Sequence, residues 1–220
     1  SITLEGVLNE LPDIVRFNIT GTGPEMTLTT TGTFGGTASP TLLRANSKLV
    51  GRDLSIFAPL TGLDLTGSAD LSVQTRIETE DFSGTVTLNG TGENLGVGNN
   101  RIDPMLAGNA TVSARLLLEP GRTTLNSFAV ATPILTARAV GVLEDGRRAV
   151  TLNAQLADAG LVVESLAGPI TVNGTVVQTT ADLLDIDVTG VGQSFELTAK
   201  GALSALDDVP LFNGQAEVTS

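Results

Sequence analysis

The sequence contains three copies of a seven-residue unit in which alternating apolar and polar residues lead into a Gly-x-Gly triplet. The copies are residues 17–23 (FNITGTG), 86–92 (VTLNGTG) and 186–192 (IDVTGVG). Successive side chains of a β-strand point to opposite faces, so each unit predicts a strand with one apolar and one polar face. Glycine adopts backbone conformations that other residues avoid, and we expect each triplet to mark a turn or a bulge.

The same period-two alternation continues along the chain, at residues 69–74, 110–116, 150–156 and 195–200, for example. Thr and Val, which strands favour, are frequent. Residues 18–34 also match 187–203 without a gap. Repeats at irregular, long intervals indicate long strands joined by variable loops in an extended array.

Short helical turns are predicted between some of these strands. Residues 53–62 could form a turn with Asp53 as its N-cap, residues 99–108 could form another, and residues 156–166 are ambiguous. Each segment precedes a strand. A second repeated unit, glycine-x-apolar-polar-apolar, begins at Gly67, Gly108, Gly168 and Gly214, and supports this placement.

Composition argues against several functions. The formal net charge is −12, from 12 basic and 24 acidic residues, so nucleic acid is an unexpected partner. The chain has no His and no Cys, and it therefore lacks the usual general base, thiolate ligands and the strongest nucleophile. We predict no enzyme activity, no catalytic residue, no cofactor and no metal. Asp182, Asp185 and Asp187 lack the spacing of a calcium loop and are interpreted as solvated polar positions.

An apolar sheet face must be covered, either by other side chains or by a ligand with long hydrocarbon chains. Only 7 aromatic residues, all Phe, are available to fill a wide interior. Strand-like sequences at both ends, with no composition shift between them, predict that residues 1–220 are one continuous segment of a longer polypeptide. Neither a signal peptide nor a membrane-spanning run is evident.

Two blocks of the sequence stand out, residues 90–98 (GTGENLGVG) followed by 103–108 (DPMLAG), and residues 53–71. Both resemble sequences that recur in TamB proteins, which are relatives of the AsmA-like proteins. TamB proteins are the inner-membrane subunits of the translocation and assembly module of Gram-negative bacteria. The resemblance rests on repeat texture and covers most of the chain.

This resemblance implies an all-β fold, an elongated, mainly antiparallel repeat sheet curled into a taco-like apolar groove. It implies a periplasmic segment of an inner-membrane-anchored protein that conducts phospholipid towards the outer membrane and supports outer-membrane assembly. The implied partners are phospholipid acyl chains and, through the parent protein, the outer-membrane barrel TamA. Membrane contact would occur only through parts outside this segment.

The groove residues that this reading predicts are the apolar members of the alternating runs. They are Ile19, Met26, Leu28, Leu71, Val73, Val86, Leu88, Val112, Leu152, Val172, Val188 and Leu197. With strands about 4.8 Å apart and about 12 residues each, the segment would span roughly 80–90 Å.

The alternation is also compatible with a packed β-sandwich. The alternative function is therefore a passive structural β-repeat stalk or adhesin module with a filled core. Periodicity alone does not distinguish a packed interior from a lipid groove.

Overall fold

The computed structural model describes residues 3–11, 13–36, 41–100, 102–144, 146–161, 166–180, 183–204 and 211–219. Within them the chain forms one antiparallel sheet of 14 strands, in which every strand pairs with its neighbours in sequence. The first strand, β1 (Thr3–Leu11), and the last, β14 (Leu211–Thr219), each have one neighbour. The sheet is therefore not closed into a barrel.

The twelve inner strands are 9 to 13 residues long. They are β2 (Ile14–Thr22), β3 (Met26–Gly35), β4 (Leu42–Gly51), β5 (Thr66–Glu78), β6 (Gly84–Gly96), β7 (Asn109–Glu119), β8 (Arg122–Ala131), β9 (Leu135–Glu144), β10 (Arg147–Leu156), β11 (Ile170–Thr180), β12 (Leu183–Gly192) and β13 (Glu196–Ser204). Helical turns occupy Leu54–Phe57, Ala58–Thr61, Asp103–Leu106 and Ala159–Leu161.

The predicted fold class is confirmed: the chain is all-β, an elongated, curled antiparallel sheet with short helical turns between strands. The turn after β4 begins as expected, because the Asp53 carboxylate accepts a hydrogen bond from the Ser55 backbone N–H at 2.9 Å. A turn of helix also forms within residues 99–108. In the ambiguous segment 156–166 the described residues contain one short turn, and residues 162–165 lie outside the described part.

The internal repeat is structural as well as sequential. In the β2–β3 hairpin Gly21 pairs with Leu28, and in the β12–β13 hairpin Gly190 pairs with Leu197, so the two hairpins share one register. Three glycines of the second repeated unit, Gly67, Gly108 and Gly168, have φ of 92°, 81° and 85° and lie at or just before a strand start. The fourth, Gly214, lies inside β14.

The expectation that each Gly-x-Gly triplet marks a turn or a bulge is confirmed. The last glycine of two triplets donates its backbone N–H across a hairpin turn, Gly23 to the Met26 carbonyl at 2.8 Å and Gly192 to the Phe195 carbonyl at 2.9 Å. In β6, Gly92 is followed by a register shift against β5, where Asn94 has a φ of 49°. The first glycine of each triplet stays within its strand, and its role lies in the packing of the apolar face.

The sheet is shorter than the sequence suggested. Fourteen strands at about 4.8 Å spacing span about 62 Å, against the expected 80–90 Å. The expected length assumed about 12 residues for each strand. In the structure each strand and its connection together take about 16 of the 220 residues, because several connections contain helical turns.

The two ends of the strands carry different connections. We call the end that holds residues 23–25, 52–65, 97–108, 132–134, 157–169 and 193–195 the capped end, and the opposite end, with the remaining connections, the hairpin end. The buried core cluster lies at the capped end and consists of Leu156, Ala159, Ile170 and Phe195. Met105 and Leu161, from two of the helical turns, pack against it.

Candidate functional site: an uncovered apolar face

Strand pairing places most of the apolar residues of the fourteen strands on one face, which we call the apolar face, while a few such as Val7, Val140 and Val191 lie on the opposite face. Register partners in neighbouring strands form rows that cross the sheet. The first row, nearest the capped end, runs from Leu4 to Val218, the second from Gly6 to Ala216, and the third from Leu8 to Gly214. Each row contains one residue from every strand.

All twelve predicted groove residues lie on the apolar face. The first row contains Leu28, Leu71, Val112, Val172 and Leu197. The second row contains Ile19, Val73, Leu88, Leu152 and Val188. Val86 belongs to the third row, and Met26 lies beyond the first row, opposite Gly51 at the capped end.

The apolar face has no second layer over most of its length. Every substantial contact between described strands joins sequence neighbours. A folded chain of 22.5 kDa is expected to expose about 9,500 Å², whereas this one exposes 13662 Å². The buried apolar residues of the described chain are Ala110, Leu156, Ala159, Ile170 and Phe195, and all of them lie at or next to the capped end.

The three rows form an unusually large apolar strip. They extend about 62 Å across the sheet and about 14 Å along the strands, roughly 850 Å². The largest apolar patch on a typical soluble monomer is about 300–600 Å². On soluble proteins, apolar patches above this size are typical of interaction surfaces.

Glycine residues reduce the height differences on the apolar face. A β-carbon on Gly90 would collide with the Leu71 side chain of the neighbouring strand, and one on Gly32 would collide with the Phe17 ring. Gly174 is covered in the same way by Val188. Large side chains lie flat over neighbouring glycines, so the face has little relief and few features that would hold a ligand in one position.

The helical turns close the capped end of the strip. Leu54 and Phe57 pack over Gly51, and Phe195 packs over Gly192. Hydrogen bonds hold this layer in place: the Thr132 hydroxyl donates to the Met105 carbonyl at 2.7 Å. Among the described residues, the hairpin end has no comparable helical turns, so these residues border the strip at the capped end only.

Three hydroxyl-bearing residues interrupt the rows, and all lie in adjacent strands. Thr30 of β3 and Ser47 of β4 are register partners in the second row, and Thr75 of β5 lies in the third row. The Thr30 hydroxyl donates to the Ser47 hydroxyl at 3.0 Å. Sequence analysis missed this group because the three residues come together only through strand register.

The opposite face is polar and carries the ion pairs of the described chain. Lys200 donates to Asp187 at 2.9 Å, which raises the pKa of Lys200 through this hydrogen bond and the attraction of the carboxylate. Asp185 lies on the same face, while Asp182, the third member of the acidic cluster, lies outside the described residues.

Shallow crevices lie between the side chains of the polar face. One of them has a volume of about 680 Å³ and is lined by residues that include Arg138, Asn153 and Asn173. Asn153 and Asn173 hydrogen-bond to each other at 2.7 Å. Similar crevices elsewhere on the polar face are lined by residues that include Asp70, Ser113 and Thr151.

None of the described helices has the length and apolar character needed to cross a bilayer. Comparison of the chain with protein-family models, with curated proteins and with solved structures finds no match.

Proposed function

We propose that the apolar face binds the acyl chains of phospholipids and that this chain is a segment of a periplasmic bridge that conducts lipid between the inner and outer membranes. One observation carries the proposal, namely the strip of apolar residues that crosses all 14 strands and that the described chain leaves uncovered. Covering such a surface is favourable by about 25 cal/mol for each Å² removed from water.

The chemistry of the strip fits hydrocarbon better than a specific small molecule. Its side chains are aliphatic with few aromatic rings, and they are half-buried rather than gathered into a pocket. Dispersion and water exclusion do not depend on the position of a chain along such a surface. Acyl chains would therefore be held without a fixed position, as conduction requires, and headgroups would remain in water at the hairpin end.

The resemblance of residues 53–71 and 90–108 to TamB sequences supports the same function and adds a periplasmic location, an inner-membrane anchor in the parent protein and a link to the barrel TamA. Supporting outer-membrane assembly belongs to the same proposal. The alternative, a structural stalk with a filled core, needs a second layer over the strip, which the described residues of one chain do not supply.

The test places charge on each face of one strand. In β6, Leu88 lies in the second row and the adjacent Thr87 lies on the polar face. Because a buried carboxylate without a partner is costly, an acyl chain should avoid the part of the strip around an aspartate at position 88, so we expect Leu88→Asp to lower the number of fluorescent fatty acid molecules bound by each protein chain, whereas Thr87→Asp leaves it unchanged. Native mass spectrometry of the purified chain should show less co-purifying phospholipid in the Leu88 variant than in the wild type and the Thr87 variant.

Circular dichroism and hydrodynamic size serve as folding controls for both variants. Equal effects of the two substitutions, with both proteins folded, would contradict a lipid-binding face. A lipid-free wild type that is dimeric through its apolar faces would favour the structural alternative. Val112→Lys and Thr111→Lys in β7 repeat the comparison with positive charge at a second place on the sheet.

A further inference from the structure

We propose that Thr30, Ser47 and Thr75 form a hydrogen-bonding subsite that recognises an oxygen atom carried on a hydrocarbon chain, such as an ester carbonyl or the hydroxyl of an oxygenated acyl chain. This inference rests on the proposed function, since it assigns a preferred ligand chemistry to one place on the lipid-binding face.

The three hydroxyl groups are the polar side chains of the rows, and they lie together. The three rows are apolar or glycine at every strand except β3, β4 and β5, where these three hydroxyls are found. Ser47 and Thr75 are diagonal neighbours across one strand pair, about 7–8 Å apart, so a ligand oxygen above this place can bond to the Thr30–Ser47 pair or to Thr75. Their apolar surroundings in the same rows include Ile19, Val73 and Val86.

The three hydroxyl groups have hydrogen-bonding capacity to spare. A hydroxyl group has one proton and two acceptor lone pairs. The bond between the Thr30 and Ser47 hydroxyls uses one of their two protons and leaves the other for a ligand. All three residues lie on the apolar face and are half-buried, so each keeps part of its surface accessible.

A ligand that covers the apolar face removes water from these three hydroxyl groups. Water satisfies these hydroxyls while the face is bare. A saturated chain laid over them would exclude water and leave polar groups unpaired, whereas a chain with an oxygen at this place would replace the lost bond. A site built to hydrogen-bond discriminates against the analogue that lacks the polar group.

Two pairs of probes separate the possible sources of the oxygen. Stearate is compared with 12-hydroxystearate, and 1-palmitoyl-lysophosphatidylcholine with its ether analogue, which lacks the carbonyl oxygen. We expect wild type to bind at least one oxygen-bearing member about two- to ten-fold more tightly than its partner, the ratio expected for one hydrogen bond.

The variant Thr30→Val/Ser47→Ala should lose this preference and keep its affinity for stearate and the ether. Thr31→Val is the matched control, because Thr31 lies next to Thr30 but on the polar face, and it should keep the preference. Equal wild-type affinities within both pairs would overturn the subsite and leave the proposed function intact. A preference that survives in the double variant would overturn it too. If no probe binds to the wild type, both the subsite and the proposed function are contradicted.

Discussion

The capped end and the open rows of the apolar face are made of the same kinds of residue, but only the capped end is covered by the chain itself. At the capped end Phe195, Leu156 and Ile170 are each 7 % exposed, because helical turns and loops fold over them. In the open rows Ile19 is 39 % exposed and Val218 is 53 % exposed. The capped end stabilises the fold, whereas the open rows remain accessible to a ligand.

The largest expected effect comes from truncating one side chain in each region. Phe195→Ala should lower the free energy of unfolding by about 3–5 kcal/mol, because it leaves a cavity in the core cluster. Ile19→Ala should lower it by about 1 kcal/mol, since little of its surface leaves water on folding. Urea denaturation of both variants measures the contrast, and similar losses would show that the open rows are packed after all.

Added methyl groups should reveal the same contrast with a smaller effect. Gly192→Ala pushes a β-carbon against the Phe195 ring, whereas Gly21→Ala meets only the end of the Leu4 side chain, with 3.2 Å between the added carbon and Leu4 Cδ2. We expect a loss of about 1–3 kcal/mol at Gly192 from overpacking and a change near zero at Gly21.

A double-mutant cycle of Gly192→Ala with Phe195→Ala provides the control for this explanation. The second substitution removes the ring that the methyl group meets, so the cost of the first should largely disappear. Additive losses would assign the cost to the backbone of β12 instead.

The smallest expected effect is the dependence of local stability on pH at the two ends of the strands. Asp53 at the capped end and Asp81 at the hairpin end accept hydrogen bonds from the backbone N–H of Ser55 and Ser83, which lowers the pKa of each carboxyl from 3.8. A lowered folded-state pKa gives stability that is present above the unfolded value and is lost as the pH falls through the folded one.

Two-dimensional NMR titration should therefore place the pKa of both carboxyls below 3.8, with faster amide exchange at Ser55 and Ser83 once they are protonated. Since both groups are exposed, the two ends should respond alike. Loosening of one end alone would mean that the cap, rather than its local turn, controls the response.

Alternation in the sequence was sufficient to predict the sheet, the two faces and the face on which each groove residue lies. Side-chain direction repeats every two residues, and no long-range information is needed to assign it. The helical turn at Asp53 was predictable for a similar reason, because an N-cap is a local hydrogen bond. The lipid contacts of the twelve groove residues stay a prediction.

Features that depend on register or on tertiary covering were not predictable. Gly90 lies inside β6, where it makes room for the Leu71 side chain of the neighbouring strand, and the sequence does not show this contact. Phe195 begins an alternating run, and the sequence does not show that it covers Gly192. The grouping of Thr30, Ser47 and Thr75 requires three strands to be aligned first.

Because strands pair only with their neighbours in sequence, the sheet can fold, and can lose its structure, one hairpin at a time. Each hairpin is a local unit, so loop closure costs little and ordering can begin at any hairpin and spread in both directions. The free energy of folding is then approximately the sum of a contribution from each hairpin and a contribution from each contact between neighbouring hairpins. Damage in one hairpin weakens its immediate neighbours and leaves distant ones intact, and a hairpin could be added or deleted without redesigning the rest.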